Sequence, residues 1–336
     1  MNKTKLQGHA AIFVAAIIFG ANFPITKHLM PHWMSPWALT YSRFAFGAIA
    51  FWTLSLFVKK ERVPRKDMFT LLLGSMLGVG FNQALFIFGL QYTSPTDASI
   101  VNTVMPIMAM VISFFILKEP ITLKKAGGVF LGLFGVLCVI LSAHVPAGAS
   151  KSAPILGDLF CALSCLMYAF FLVITRDVSK RYSPVTIMKW MFLFSTILSF
   201  PFGYKDLLTA NLFVNGSLNE WLSYGYLLVG ATFITYLLMP VAQKRIRPTT
   251  IGMYNYVQPL VASVIAISIG QDEFTWIKPI AAVLIFAGVY FVTTSKSRED
   301  IERELVVVKP PFDSEDADRL QVEVVTQQIN KDKKIN

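Results

Sequence analysis

The amino-acid sequence predicts an all-α integral membrane protein of ten transmembrane helices, built as two five-helix repeats of opposite orientation. Three observations carry this prediction. Hydrophobic residues make up 54% of the chain and charged residues 15%, with a mean hydropathy of +0.57; soluble domains average about 45–50% and about 25%. The cations gather in alternate loops between apolar runs. And one apolar run, PTDASIVNTVMPIMAMVISFFILKEP from Pro95 to Pro120, returns as PTTIGMYNYVQPLVASVIAISIGQDEF from Pro248 to Phe274. Pro95 and Pro248, Asn102 and Asn255, and Pro106 and Pro259 all share one offset of 153 residues, which also sets Glu119 on Asp272, next to Glu273.

A helix needs about 20 mostly apolar residues to cross a bilayer. On that basis the spans run over 8–29, 36–58, 68–91, 95–117, 122–143, 155–175, 184–204, 221–243, 248–270 and 275–295. Prolines and glycines inside them are tolerated, because neighbouring helices re-satisfy the backbone groups they free. The run from Ala10 to Phe19 leads straight into further membrane sequence without a convincing cleavage site, so no removable signal peptide is expected.

The loops give the orientation. Lys59, Lys60, Arg62, Arg65 and Lys66 follow the second span, and Lys118, Lys124 and Lys125 the fourth. Arg176, Lys180 and Arg181 follow the sixth, Lys244, Arg245 and Arg247 the eighth, and Lys296 and Arg298 the tenth. The opposite loops hold Lys27, Lys151, Lys205 and Lys278, four cations against sixteen. Cytoplasmic loops carry the excess of Lys and Arg, so both termini are expected in the cytoplasm, which requires an even number of spans. The duplication extends to the first spans: Gly8, Thr26 and Lys27 match Gly157, Thr175 and Arg176 at 149 residues, and Ser35-Pro36 matches Ser183-Pro184 at 148. Residues 1–145 and 146–295 are therefore two copies, and 296–336 a charged cytoplasmic tail. Because five is odd, the second copy enters the membrane from the other side. Inverted repeats are a recurring plan of secondary transporters, with the substrate site near the midplane at their interface.

Several other chemistries are excluded. The formal charge of +10 sits between apolar runs rather than on a basic face, so the partner it implies is the lipid bilayer and not nucleic acid. Cys138, Cys161 and Cys165 lie inside apolar runs and read as small packing residues, with no disulfide framework and no metal site. His9, His28, His32 and His144 stand at span ends or in loops, with neither HExxH nor paired aspartates inside helices, so no enzyme is expected. No Walker-type loop occurs, which removes ATP as direct energy source, and no cofactor is implied. Gly74-x-x-x-Gly78 and Gly128-x-x-x-Gly132 fit close helix contact. Monomer and homodimer both remain open.

The candidate site residues follow from the repeat. Ser99, Asn102, Pro106 and Ala109 form one stripe of the fourth span, and Gly252, Asn255, Pro259 and Ala262 its partner in the ninth, with Tyr254 and Gln258 beside it. Each proline removes the hydrogen bond to the carbonyl four residues earlier, that of Asn102 or Asn255. Such a freed carbonyl beside an amide at mid-depth is a usable polar ligand. Asn82 with Gln83 in the third span match Thr235 with Tyr236 in the eighth, and since neighbours on a helix diverge, Asn82 and Tyr236 are the expected inward pair. Asn22 in the first span and Tyr168 in the sixth complete an amide-rich, aromatic wall suited to a zwitterionic or planar neutral metabolite. Arg43 lies roughly 10 Å inside the second span at about 1.5 Å per residue, deep enough to be an anion ligand or a structural clamp; the seventh span has Met191 in its place, so its role is asymmetric. Lys27, Asp97, Asp158 and Lys189, near span ends, are expected to reach the interface, and Glu119 and Glu273 to cap ends with nearby lysines.

These features resemble the drug/metabolite transporter superfamily, specifically its ten-helix EamA-type members. The resemblance rests on FGANFPITK in the first span and SPWALTYSRFAFGAI, with Arg43, in the second. It also rests on the proline-marked fourth span ending in Lys118-Glu119 and on GGVFLGLFGV in the fifth, and it covers residues 8–295. It implies a secondary transporter in a bacterial cytoplasmic (inner) membrane, exporting small-molecule metabolites such as amino acids; relatives exchange sugar phosphates or nucleotide sugars. It further implies a central cavity bounded by the first, third, fourth, sixth, eighth and ninth helices, worked by alternating access.

Overall fold

The computed structural model describes residues 3–117, 123–142, 153–243, 245, 254 and 257–293. Among these residues all regular structure is helical. The helices are α1 (Lys3–Leu29), α2 (Pro36–Ser55), α3 (Arg65–Gly74), α4 (Asn82–Tyr92), α5 (Pro95–Asn102), α6 (Met105–Leu117), α7 (Leu123–Ser142) and α8 (Ala153–Ile174). They continue as α9 (Arg176–Arg181), α10 (Pro184–Leu208), α11 (Asn211–Asn215), α12 (Leu218–Gly225), α13 (Thr235–Gln243), α14 (Val257–Ser268) and α15 (Ile277–Thr293). Six stretches are long and apolar enough to cross a membrane: Leu6–Leu29, Arg65–Tyr92, Pro95–Ile116, Pro154–Ile174, Pro184–Asn215 and Leu218–Met239. The other predicted spans hold α2, α7, α14 and α15, which carry helix at those positions but fall outside that criterion. The tail from 296, Glu119, Asn255 and the Pro106 ring lie outside the described residues.

The repeated Ser-Pro pairs are helix starts. Proline at the first helical position loses no hydrogen bond, because that N–H has no partner inside the helix, and the serine before it supplies an acceptor for the next free N–H. Ser35 accepts from the Ala38 N–H at 3.1 Å, Ser183 from Thr186 at 3.3 Å, and Ser94 from Asp97 at 3.0 Å.

Two features were not expected. Segments Ser75–Phe81 and Tyr226–Ile234 are π-helical; they join α3 to α4 and α12 to α13, and the repeat offset of 153 lays one over the other. And the fourth span is broken: α5 ends at Asn102, Thr103 turns back to the Ile100 carbonyl at 3.0 Å, and α6 begins at Met105.

Helix packing follows the small residues. α2 and α10 lie antiparallel: Trp37 stacks on Phe202, Tyr41 meets Phe200, Phe51 stacks on Phe192 and Trp52 meets Trp190. The approach is close, since a Cβ at Gly47 would stand 2.5 Å from the Phe192 ring. Each helix start is also gripped from the far end of its partner. Ser35 donates to Asp206 at 2.6 Å, and Glu61 accepts from the Ser183 N–H and hydroxyl, each at 3.0 Å. α7 and α15 run antiparallel in the same way, with Gly132 against Gly288 and Gly135 against Ala281 and Ile285. α4 and α8 do so through Gly89 against Gly157, while the Phe171 ring packs on Gly78, the close contact expected of Gly74-x-x-x-Gly78.

Candidate functional site

The site is assembled around Arg43. Its side chain leaves α2 and is 4% exposed, so its donors must find acceptors inside the bundle. The π segment supplies one. Thr232 gives its own proton to the Leu227 carbonyl five residues back at 2.8 Å, which leaves the hydroxyl oxygen free to accept Arg43 Nε at 2.9 Å. Asn22 on α1 supplies the other: its Oδ1 accepts Arg43 Nη1 at 3.2 Å and the Thr26 hydroxyl at 3.4 Å. Among the described residues Arg43 meets no carboxylate, so it is clamped by neutral oxygens and carries its charge uncompensated.

Arg43 and Asn22 line a cavity of about 480 Å³, inside the range of about 300–1,000 Å³ usual for small-molecule sites. Five more expected residues meet them there: Asn82, Asn102, Tyr168, Tyr236 and, from α14, Gln258. Asn82 Nδ2 donates to the Ser164 carbonyl on α8 at 2.8 Å, and Asn102, at the break between α5 and α6, accepts the Cys165 thiol at 3.2 Å. Cys165 therefore does more than fill space. Tyr236 packs edge-on against Phe192, and Tyr168 against Phe171.

Several expectations need correction. Gln83 lines the cavity together with Asn82, because the space wraps more than one face of α4, with Asn82 at the flank against α8. The second and seventh spans also contribute, through Arg43, Ile187, Met188 and Met191, so the two unlike repeat mates Arg43 and Met191 border the same space. Tyr254 does not line it: its hydroxyl meets His9 Nδ1 at 3.0 Å, in an apolar cluster with Ala11, Ile12 and Ala242. Pro259 is buried in α14 and is also absent from the lining. Two amides side by side in an apolar run are the sequence signal for Gln83; Thr232 gives none, since its value lies in the π-turn geometry.

The span-end charges are less exposed than expected, because other helices supply their partners. Lys27 Nζ donates to the carbonyls of Leu90, Gln91 and Thr93 at 2.7–2.9 Å, capping α4 from outside. Asp158 is fully buried and accepts the Thr93 hydroxyl, while its other oxygen has no partner. Lys278 joins Asp272 at 2.6 Å and Asp97 at 3.5 Å, so Asp272 rather than Glu273 holds the lysine. Lys189 rests over the Trp52 ring at 5.0 Å. None of Lys27, Asp97, Asp158 or Lys278 lines the cavity, whose lining runs instead to Ser179 and Pro184 at the α9–α10 connection. Among the described residues no group of three His, Cys, Asp or Glu could hold a metal ion.

The sequence and fold have counterparts among known proteins. The chain is 24% identical to the uncharacterized transporter YetK of Bacillus subtilis, over 89% of this chain and 90% of that one. It is 26% identical to a Chlamydia muridarum protein named as an S-adenosylmethionine/S-adenosylhomocysteine transporter, over 75% and 80%. A solved crystal structure with 19% identity superposes with a TM-score of 0.56 over 86% of this chain and 96% of its own. The model of the EamA-like transporter family matches twice, over residues 6–141 and 155–294. An integral membrane protein whose helices enclose a cavity, and whose sequence matches that model along most of its length, is a transporter and not an enzyme: the chain belongs to the EamA-like transporter family.

Proposed function

We propose that this transporter exports small polar metabolites, amino acids among them, by alternating access between two inverted five-helix repeats. The observation that carries the reading is the cavity, lined by Asn22, Asn82 and Asn102 from the first repeat and Tyr168, Tyr236 and Gln258 from the second. Discontinuous helices at such a site are a recurring device of secondary transporters, because unwound backbone leaves carbonyls free to bind; the break at Thr103 beside Asn102 fits it. Asn102 and, by sequence, Asn255 and Pro106 are the proposed substrate contacts of the fourth and ninth spans, with Tyr254 and Pro259 supporting the ninth span from outside the cavity. With both termini in the cytoplasm of a bacterial inner membrane, the lining at Ser179 and Pro184 faces the cytoplasm and the ion pairs of Lys278 with Asp97 and Asp272 lie at the outer ends of the spans. This is the geometry of a carrier loaded from inside.

The test is reconstitution of the purified protein in proteoliposomes, loaded with a metabolite mixture that includes S-adenosylmethionine, with release read by mass spectrometry. Saturable release of one class is expected, falling about tenfold or more in Asn102→Ala, the loss of roughly 1.4 kcal/mol of binding. Release that is absent for every component, or that Asn102→Ala leaves untouched, would remove the cavity from the transport path.

A further inference from the structure

Two donors of the cavity wall lack a full set of acceptors. Arg43 is the one charged side chain among the described residues lining it, and two neutral oxygens, Thr232 Oγ1 and Asn22 Oδ1, take up only its Nε and one Nη1 bond. Gln83 lines the same space at 7% exposed, and its Nε2 is buried with no acceptor. Two amide oxygens of the lining are already engaged: Asn22 Oδ1 by Arg43 and Thr26, Asn102 Oδ1 by the Cys165 thiol. A buried cation without a counter-charge and a buried amide N–H without a partner are each unfavourable, and one incoming anion relieves both.

We propose that Arg43 and Gln83 form a carboxylate subsite, and that the substrate carries a single carboxylate on an apolar or aromatic body. This rests on the transport reading above and names what the cavity selects. The charge count decides between anions. A phosphate ester brings about −1.5 to −2 charges against a single guanidinium with no second cation among the described lining residues, and the excess would be stranded in an apolar site; a carboxylate brings one. The rest of the wall, Phe19, Phe23, Phe86, Met105 and Met188, offers no charge and a broad apolar surface. The subsite is also lopsided, since the repeat mate Met191 faces the same space without a charge, so only one orientation of the substrate is favoured.

The experiment compares three probes of the same body on the full-length protein in lipid nanodiscs: hydrocinnamate, its uncharged amide hydrocinnamamide, and phenethyl phosphate. Binding is read by thermal shift across a concentration series. Hydrocinnamate is expected to bind about tenfold or more tightly than either of the others, a charge-assisted hydrogen bond against a neutral one. Arg43→Gln should erase the preference for the carboxylate over the amide, and Arg43→Lys should restore part of it. Because Arg43 also ties α2 to α1 and the π segment, a second variant keeps the test open should Arg43→Gln fail to fold. Gln83→Leu removes an unpaired donor, so it should raise the melting temperature of the empty protein while weakening hydrocinnamate by about fivefold or more. A purely structural Gln83 would do neither. Equal binding of amide and carboxylate, tighter binding of the phosphate, or a carboxylate preference that survives Arg43→Gln would overturn the subsite. The transport reading fails separately: probes that bind as described but never cross a proteoliposome membrane leave the subsite standing, while flux confined to compounds without a carboxylate removes the subsite and leaves transport intact.

Discussion

Thr232 shows how one hydroxyl sets the state of a buried charge. It spends its proton on the Leu227 carbonyl and its lone pair on Arg43 Nε, so removing it unpairs a guanidinium donor deep in the bundle. Thr232→Val keeps the shape and deletes both bonds; the cost expected is about 1.5–3 kcal/mol, that of a hydrogen bond to a charged group. Thr232→Ser keeps the bonds and loses a methyl, about 0.8 kcal/mol. Denaturant titration in mild detergent, read by tryptophan fluorescence, separates the two variants. A valine variant as stable as the serine one would show that Arg43 is held elsewhere.

At the level of elements, the ends of α2 and α10 are where sequence and structure agree best. The Ser-Pro pairs are legible because a cap and a proline each act within a few residues, and the structure begins helices at all three of them. Glu61 extends the Ser183 cap, and its titration gives a pH test. Partial burial pushes its pKa up, but hydrogen bonds from Thr186 and from the Ser183 N–H and hydroxyl, with the Lys189 charge, outweigh that and leave it below the ordinary value. A carboxylate depressed in the folded state stabilises above its unfolded pKa, about 4.3, and the contribution disappears as pH falls through the lower folded value. Melting temperature in nanodiscs should therefore decline between about pH 5 and pH 3, and decline less in Glu61→Gln; parallel curves would mean that the contact is not made in the membrane-embedded protein. What was not legible has a common cause. A π turn changes which carbonyl an N–H reaches without altering composition, so neither π segment, nor the service of Thr232 to Arg43, has a signature in hydrophobic pattern. Asp158 and Lys27 were read as interfacial from their distance to span ends, whereas Thr93 and the carbonyls ending α4, which hold them inside, belong to other helices.

For the whole molecule, the contacts between helices bear on the inverted duplication. In such a repeat, a helix that touches its own mate must meet it antiparallel. α2 and α10 are proposed mates and do so from Trp37–Phe202 to Trp52–Trp190; α7 and α15 do so through Gly132 and Gly288. Contacts between unlike spans should also come in pairs. Third against sixth, Gly89 to Gly157 and Gly78 to Phe171, has its counterpart in eighth against first, where the Tyr226 hydroxyl donates to the Ile18 carbonyl at 2.7 Å and Ala242 packs near Ile12. A direct duplication would make the mates parallel. The orientation of these halves in the bilayer is then a matter of sidedness, which impermeant thiol reagents read directly. In a background with Cys138, Cys161 and Cys165 replaced by alanine, single cysteines at the exposed positions Lys60 and Lys180 should label only from the cytoplasmic face. Cysteines at the exposed positions Lys205 and Asn215 should label only from the outer face of intact cells. Lys180 and Lys205 flank the seventh predicted span, residues 184–204, so labelling of both from one side would mean that this stretch does not cross, and the second five-helix half would lose the inversion on which the cytoplasm-facing cavity depends.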